Sequence, residues 1–144
     1  MAKRRETLLA DWNSLPVRIY YEDTDSQGIV YFANYQRFME RGRTEWLRDH
    51  HVSQEFLRKE HQLLFSLTNT SVKYHKPALL DQLVYVMTRV DELRGARITF
   101  LQEVRLEATD GELLASAKSV AACIDALSLR PRRLSVELKH LLSV

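Results

Sequence analysis

From Ala33 to about Asp49 the apolar residues recur every three or four positions. Tyr35, Phe38, Met39, Gly42 and Trp46 therefore share one helical face, while Arg37, Arg41, Glu45 and Arg48 take the others. One long amphipathic helix of this kind needs a broad apolar surface to lie on. Arg41 and Glu45 stand at the spacing of an (i, i+4) ion pair. Gly42 costs the helix about 1 kcal/mol relative to Ala, which implies a close approach to whatever the helix covers.

The rest of the chain supplies strands. Residues before Pro16 read as a loose lead-in, and "PVRIYYE" then alternates Val17, Ile19 and Tyr21 with Arg18, Tyr20 and Glu22. After a short helical connection at "HHVSQEFLRKEH", "LLFSLTNTSVKYH" reads as one strand or two pieces closed by Pro77. "LVYVMTRVDEL" follows, then a turn at Arg94-Gly95-Ala96. "RITFLQEVRLEA" places Ile98, Phe100, Val104 and Leu106 on one side. Asp110-Gly111 is a hairpin signal, "LLASAKSVAACID" is the next strand, and a last short helix starts near Leu134. The sum is a single α+β domain over residues 1–144, in the order β-α-β-β-β-β, with a helix on an antiparallel sheet of about five strands. "LVYVM" and "VAACI" are apolar at consecutive positions, as if both sheet faces were covered. One helix covers one face, so a second copy of the chain is the simplest cover for the other.

Composition narrows the function. The chain has 144 residues, 45% hydrophobic and 28% charged, and a net charge of +2 with its Lys and Arg scattered. A nucleic-acid module would gather them into a patch or stripe; small ligands bearing phosphates fit better. The single cysteine, Cys123, leaves no internal disulfide framework and matches a reducing compartment. "MAKRRETLLADWNSLP" starts basic without an apolar run of signal length, and no segment has the apolar length of a membrane span. These features predict a soluble cytoplasmic protein.

The stretch "YEDTDSQGIVYFANY", residues 21–35, carries the chemistry. "DTDSQG" matches the opening of an EF-hand loop, but the twelfth position counted from Asp23 is Asn34 rather than a bidentate Glu, and a strand precedes it. Two readings remain. Asp25 or Ser26 caps the coming helix, with Gly28 supplying the turn. Alternatively, the turn presents a carboxylate beside the unpaired N–H groups of a helix start, which suit the oxyanion of an acyl group under attack. Ile29, Val30, Tyr31 and Phe32 would then receive an apolar acyl chain.

"VRIYYEDTDSQGIVYFANYQRFMERGRTEWLR" resembles the opening signature of hotdog-fold thioesterases of the 4-hydroxybenzoyl-CoA thioesterase family. More narrowly, it resembles the Tol-Pal-associated (YbgC-type) acyl-CoA thioesterases of Gram-negative bacteria. "VKYHKPALLDQL", "LRGARITF" and "CIDALSLRPRRL" extend the similarity over nearly the whole chain. The resemblance implies a hotdog fold, assembly as a homodimer or homotetramer with sites between subunits, and hydrolysis of acyl-CoA, or of acyl groups on acyl carrier protein, without metal or cofactor. It puts the nucleophile or general base on Asp25, its glycine on Gly28 and the oxyanion donor on the backbone N–H of Phe32. Tyr31 falls at the substrate, and Arg94 and Arg97 fall where the family often contacts the nucleotide. The Tol-Pal-associated branch carries His where this chain has Phe32, so any step needing that His is absent here. A non-catalytic holder of acyl groups for the envelope or lipid-synthesis machinery is the rival reading.

Other residues have plainer readings. Glu22 and Asp23 shape the turn, and Glu40 faces solvent or a partner. Cys123 belongs to the core, and the five histidines show no metal-ligand spacing. His50 and His51 suit the carbonyl end of the long helix. Arg130, Arg132 and Arg133 form a second basic cluster.

Overall fold

The computed structural model describes residues 12–143. Strand β1 spans Asn13–Arg18 and helix α1 spans Phe32–Asp49. A short α2, Gln54–Phe56, runs on into a wider π-type turn over Leu57–His61. Strands β2 (Leu63–Tyr74), β3 (Leu83–Arg94), β4 (Arg97–Leu106) and β5 (Leu113–Asp125) follow, and then helix α3, Val136–Leu142. All pairings are antiparallel, in the spatial order β1-β3-β4-β5-β2. The expected five-stranded α+β domain is present.

Three local expectations need correction. The strand begins at Asn13 rather than after a lead-in ending at Pro16, and it stops at Arg18. Pro16 is tolerated because β1 is an edge strand, so the missing N–H costs no ladder bond on its open side. Tyr21–Asp23 is a 3-10 turn, with Asp23 Oδ2 accepting from Tyr20 N at 2.8 Å. Glu45 pairs with Arg48 rather than Arg41, three residues away along the same face. The part of the lead-in before Trp12 lies outside the described residues.

The helix face foreseen from periodicity is the buried one: Tyr35, Phe38, Met39, Gly42 and Trp46 all lie inside. They rest on the inward row of the sheet, which includes Val84, Val86, Ile98, Phe100, Val104, Ala115 and Cys123. α1 lies over β1 and β3, with a smaller contact to β4. The consecutive apolar residues of β5 alternate in burial, with Ala121 and Cys123 inside and Val120, Ala122 and Ile124 half-buried. The outer face is thus half-covered, and it carries the Glu103–Arg105 ion pair. β2 is the other edge, and its central residues Ser66 to Ser71 are exposed.

Gly42 marks the closest meeting of helix and sheet. A Cβ there would stand 2.7 Å from Thr88 Oγ1 and 2.9 Å from both Gln102 Nε2 and Val86 Cγ1. Two of these neighbours are β-branched and stiff at χ1. Gln102, fully buried, donates to Met39 O at 2.8 Å and Thr88 Oγ1 at 2.9 Å, and it accepts from Arg43 at 3.1 Å. Gly42→Ala should therefore destabilise the protein by about 1–3 kcal/mol through overpacking, against the stabilisation that helix propensity alone predicts; urea unfolding measures the sign.

Candidate active site

The turn after β1 is held by its own backbone. Asp25 N donates to Ile29 O at 2.9 Å, Gly28 N donates to Asp25 O at 3.1 Å, and Thr24 bridges Val30. Gly28 takes φ +77°, a left-handed conformation that a glycine adopts freely. Asp25 Oδ1 accepts from Gln27 N at 2.8 Å and Ile29 N at 3.3 Å. The acid therefore ties its own turn, and the reading in which Asp25 or Ser26 caps α1 is corrected. The N-cap of α1 is Tyr31, whose side chain makes no capping bond. Among the described residues no donor meets Asp25 Oδ2, and the side chain is exposed in the single chain.

The helix start is fixed from below. Asp23 O accepts from Tyr31 N at 3.1 Å and from Asn34 Nδ2 at 2.7 Å, with Asn34 buried. Asn34 N donates to Tyr31 O at 2.9 Å. The N–H groups of Phe32 and Ala33 meet no acceptor among the described residues, as the first turn of a helix without a side-chain cap leaves them. The acid-bearing turn and two free donors thus lie on either side of one backbone bridge.

Beside them opens a cavity of about 270 Å³ lined by Ile29, Val30, Phe32, Tyr35, Tyr74, His75, Lys76 and Pro77. Its walls are aromatic. Tyr74 lies 4.8 Å from the Phe32 ring centre and 5.3 Å from that of Tyr35. The Tyr35 hydroxyl accepts from Ala78 N at 3.1 Å, which joins α1 to the β2–β3 connection. Burial pushes the Tyr35 phenol above its ordinary pKa, partly offset by that bond. Tyr74 had no assigned role in the sequence reading; its only signal was its place at the end of the strand before Pro77.

Of the residues singled out from sequence, Phe32 lines this cavity, while Asp25, Gly28 and Tyr31 lie on the turn leading into it. Arg94 and Arg97 do not join them within one chain. They flank a depression of about 280 Å³ on the outer sheet face, with Glu92, Thr99, Lys118 and Val120. That is the far end of β4, roughly 30 Å away along the strand. Glu40 borders a separate groove of about 180 Å³, with Arg43, Leu47, Phe65 and Leu67 among its neighbours. Burial lowers the Arg43 pKa, opposed by the Glu40 charge. This groove and the Arg43–Gln102 contact were missed, although Gln102 occupies an inward position of the β4 alternation.

Cys123 is buried, and burial raises its thiol pKa. His50 Nδ1 lies 2.8 Å from Trp46 O at the carbonyl end of α1. Among the described residues no three His, Cys, Asp or Glu side chains gather as a metal site. Among the described residues no helix is long and apolar enough to cross a membrane.

A helix wrapped by an antiparallel sheet, with an acid-bearing turn at its start, defines a hotdog-type thioesterase domain. The chain belongs to the thioesterase-like superfamily, which matches residues 20–142. It is similar to the acyl-CoA thioester hydrolase YbgC of Escherichia coli, at 41% identity over 128 residues, covering 89% of this chain and 91% of that protein. It is similar to a probable thioesterase of Bartonella henselae, at 34% identity and a TM-score of 0.79, covering 86% of this chain and 99% of the other. A 4-hydroxybenzoyl-CoA thioesterase complexed with 4-hydroxybenzoyl-CoA shares the fold, with a TM-score of 0.84 at 17% identity, covering 92% and 99%.

Because Asp25 Oδ1 closes the turn, Asp25→Ala should cost about 1 kcal/mol of stability. Asp25→Asn, which keeps that acceptor, should cost much less. Urea midpoints of the two variants provide the comparison.

Proposed function

We propose that this chain hydrolyses acyl-CoA thioesters, with Asp25 as nucleophile or general base and the Phe32 N–H, assisted by that of Ala33, as oxyanion hole. The observation that carries the reading is the pair of unmet N–H groups at an aromatic cavity, next to a bridged turn with a free carboxylate oxygen. The donors stand ready for charge that forms only as the carbonyl is attacked. As base, the Asp25 carboxylate takes a proton from water, and the hydroxide adds to the thioester carbonyl. The tetrahedral oxyanion then collapses with loss of the CoA thiolate, which receives the proton. As nucleophile, the carboxylate itself adds, the C–S bond breaks to expel the CoA thiolate, and water cleaves the resulting mixed anhydride, its proton going to the thiolate.

The cavity accepts short or medium acyl and aromatic acyl groups, with Gly28 and Tyr31 shaping its approach. An acyl carrier protein substitutes for CoA if its pantetheine arm reaches the same place. The rival function, a non-catalytic holder of acyl groups, would use the cavity without the donors. The single thiol, which forms no internal disulfide, supports a reducing compartment such as the cytoplasm.

The functional unit is a homodimer. β2 offers 12 residues of edge, about 40 Å, with one side of its ladder unpaired. Antiparallel pairing of two such edges about a two-fold axis sets the Tyr74 end of one copy beside the Leu63 end of the other. Arg94 and Arg97 lie at that second end, so the partner's arginines come within reach of CoA phosphates whose thioester lies at the cavity. The same pairing covers the exposed Asp25 side and dries the reacting carbonyl.

Phe32→Pro tests the oxyanion donor directly. Tyr31 already has φ −67° and ψ 138°, the extended conformation that a residue before proline prefers, and proline is well tolerated at the first helical position. The variant should fold yet lose about 10²–10³ in kcat, while Phe32→Ala, which keeps the N–H, should lose far less. Asp25→Asn should lose at least about 10²-fold. In a single turnover in ¹⁸O-water, label found in Asp25 identifies the anhydride route with water attacking the Asp25 carboxyl carbon. Full turnover by Phe32→Pro or Asp25→Asn would refute the assignment.

A further inference from the structure

The loop between β5 and α3 is built in an unusual way for a surface connection. Asp125 Oδ1 accepts from Leu127 N and Ser128 N, each at 2.9 Å, and Leu129 N donates to Asp125 O at 2.9 Å. Asp125 N in turn donates to Arg130 O at 2.9 Å, and Ile124 bridges Pro131. The bonds from Ser128 and Leu127 hold the Asp125 carboxyl below the usual carboxylate range. This tied loop points its apolar side chains outward. Leu127 is 84% exposed and Leu129 63%, the latter on a backbone with φ +60°, which is rare for a leucine. Val136, at the start of α3, is 86% exposed.

Around these side chains the charge is one-sided. Residues 126–143 contain Arg130, Arg132, Arg133 and Lys139 against Glu137 alone. Arg132 is engaged inward, on Asp125 at 3.3 Å and His61 O at 3.1 Å. Arg130, Arg133 and Lys139 pair with no carboxylate among the described residues. Arg94 and Arg97 lie at the same end of the sheet.

We propose that this loop docks the enzyme on an anionic lipid surface, with Leu127 and Leu129 entering the interface and Arg130 and Arg133 meeting headgroup phosphates. A side chain this exposed stands on a convex tip, which a yielding bilayer accommodates and a rigid protein partner would have to match with a pocket. Apolar insertion and basic attraction add at such a surface. In the edge-paired dimer the two tips sit at opposite ends of the seam, so one engages at a time and the binding is weak and salt-sensitive.

Sedimentation of the full chain with vesicles tests this. Vesicles of phosphatidylcholine containing phosphatidylglycerol should pellet the protein at least about tenfold more effectively than phosphatidylcholine alone, with loss at high salt. The double variant Leu127→Ser, Leu129→Ser should bind about tenfold more weakly to the anionic vesicles. Its melting temperature, its mass in free solution and its turnover of a soluble short-chain acyl-CoA should stay unchanged. Three results would overturn the proposal. They are wild-type protein that ignores anionic vesicles, a variant that binds them as well as wild type, and a variant whose mass in solution changes, which would make the tip a contact between copies.

Discussion

The fold turns on a contact that contains no side chain on one of its two sides. At Gly42 the helix backbone comes close enough to β3 and β4 that a Cβ would collide with Thr88, Gln102 and Val86. Gln102 uses that proximity to reach the Met39 carbonyl, and it keeps the Arg43 guanidinium as its own partner. Buried polar groups are costly when unpaired, and here each partner satisfies the other. The contact fixes both the depth of α1 and its rotation about its axis.

Because α1 sits over β1, β3 and the near side of β4, it is offset from β5 and β2, whose inner residues at Ala121, Cys123 and Leu63 are buried with help from Leu57, Leu134, Leu138 and Leu142. The features of the site follow from that offset. The aromatic cavity lies where the helix start meets the end of β2, walled by Phe32, Tyr35 and Tyr74. The groove of Glu40 and Arg43 lies where the later turns of α1 pass the start of β2. An uncovered edge is a liability in a lone sheet, and in this account it becomes the seam across which the catalytic unit is completed.

The sequence exposed the helix well, because five apolar side chains at helical spacing leave no strand alternative. The hairpin at Gly95 and the succession of strands along the chain were readable in the punctuation by Gly and Pro, whereas the spatial order, with β2 beside β5 and β1 beside β3, was not. Asp25 drew attention through its neighbours, but its use of Oδ1 to close the turn depends on backbone direction that residue identity does not carry. The limits of β1 were misread because Pro16 looks like a boundary unless the strand is known to be an edge. The consecutive apolar run of β5 hid an ordinary alternation, since alanines at 121 and 122 look equally buried in composition. Gln102 was passed over as a polar interruption among Ile98, Phe100 and Val104, although its position in the alternation points inward. The partner of a buried polar residue is a long-range fact, and in this chain it lies 63 residues away at Met39.

The central claim is that each catalytic unit draws Asp25 from one copy and Arg94 with Arg97 from the other. Mixing Asp25→Asn subunits with Arg94→Gln, Arg97→Gln subunits, after dissociation and reassembly, tests it at substrate concentrations below KM. In mixed dimers one of the two sites would then combine intact parts from both copies, so kcat/KM should recover to about a quarter of the wild-type value from two weak parents. No recovery above the average of the parents, in a sample shown to contain mixed dimers, would contradict the account.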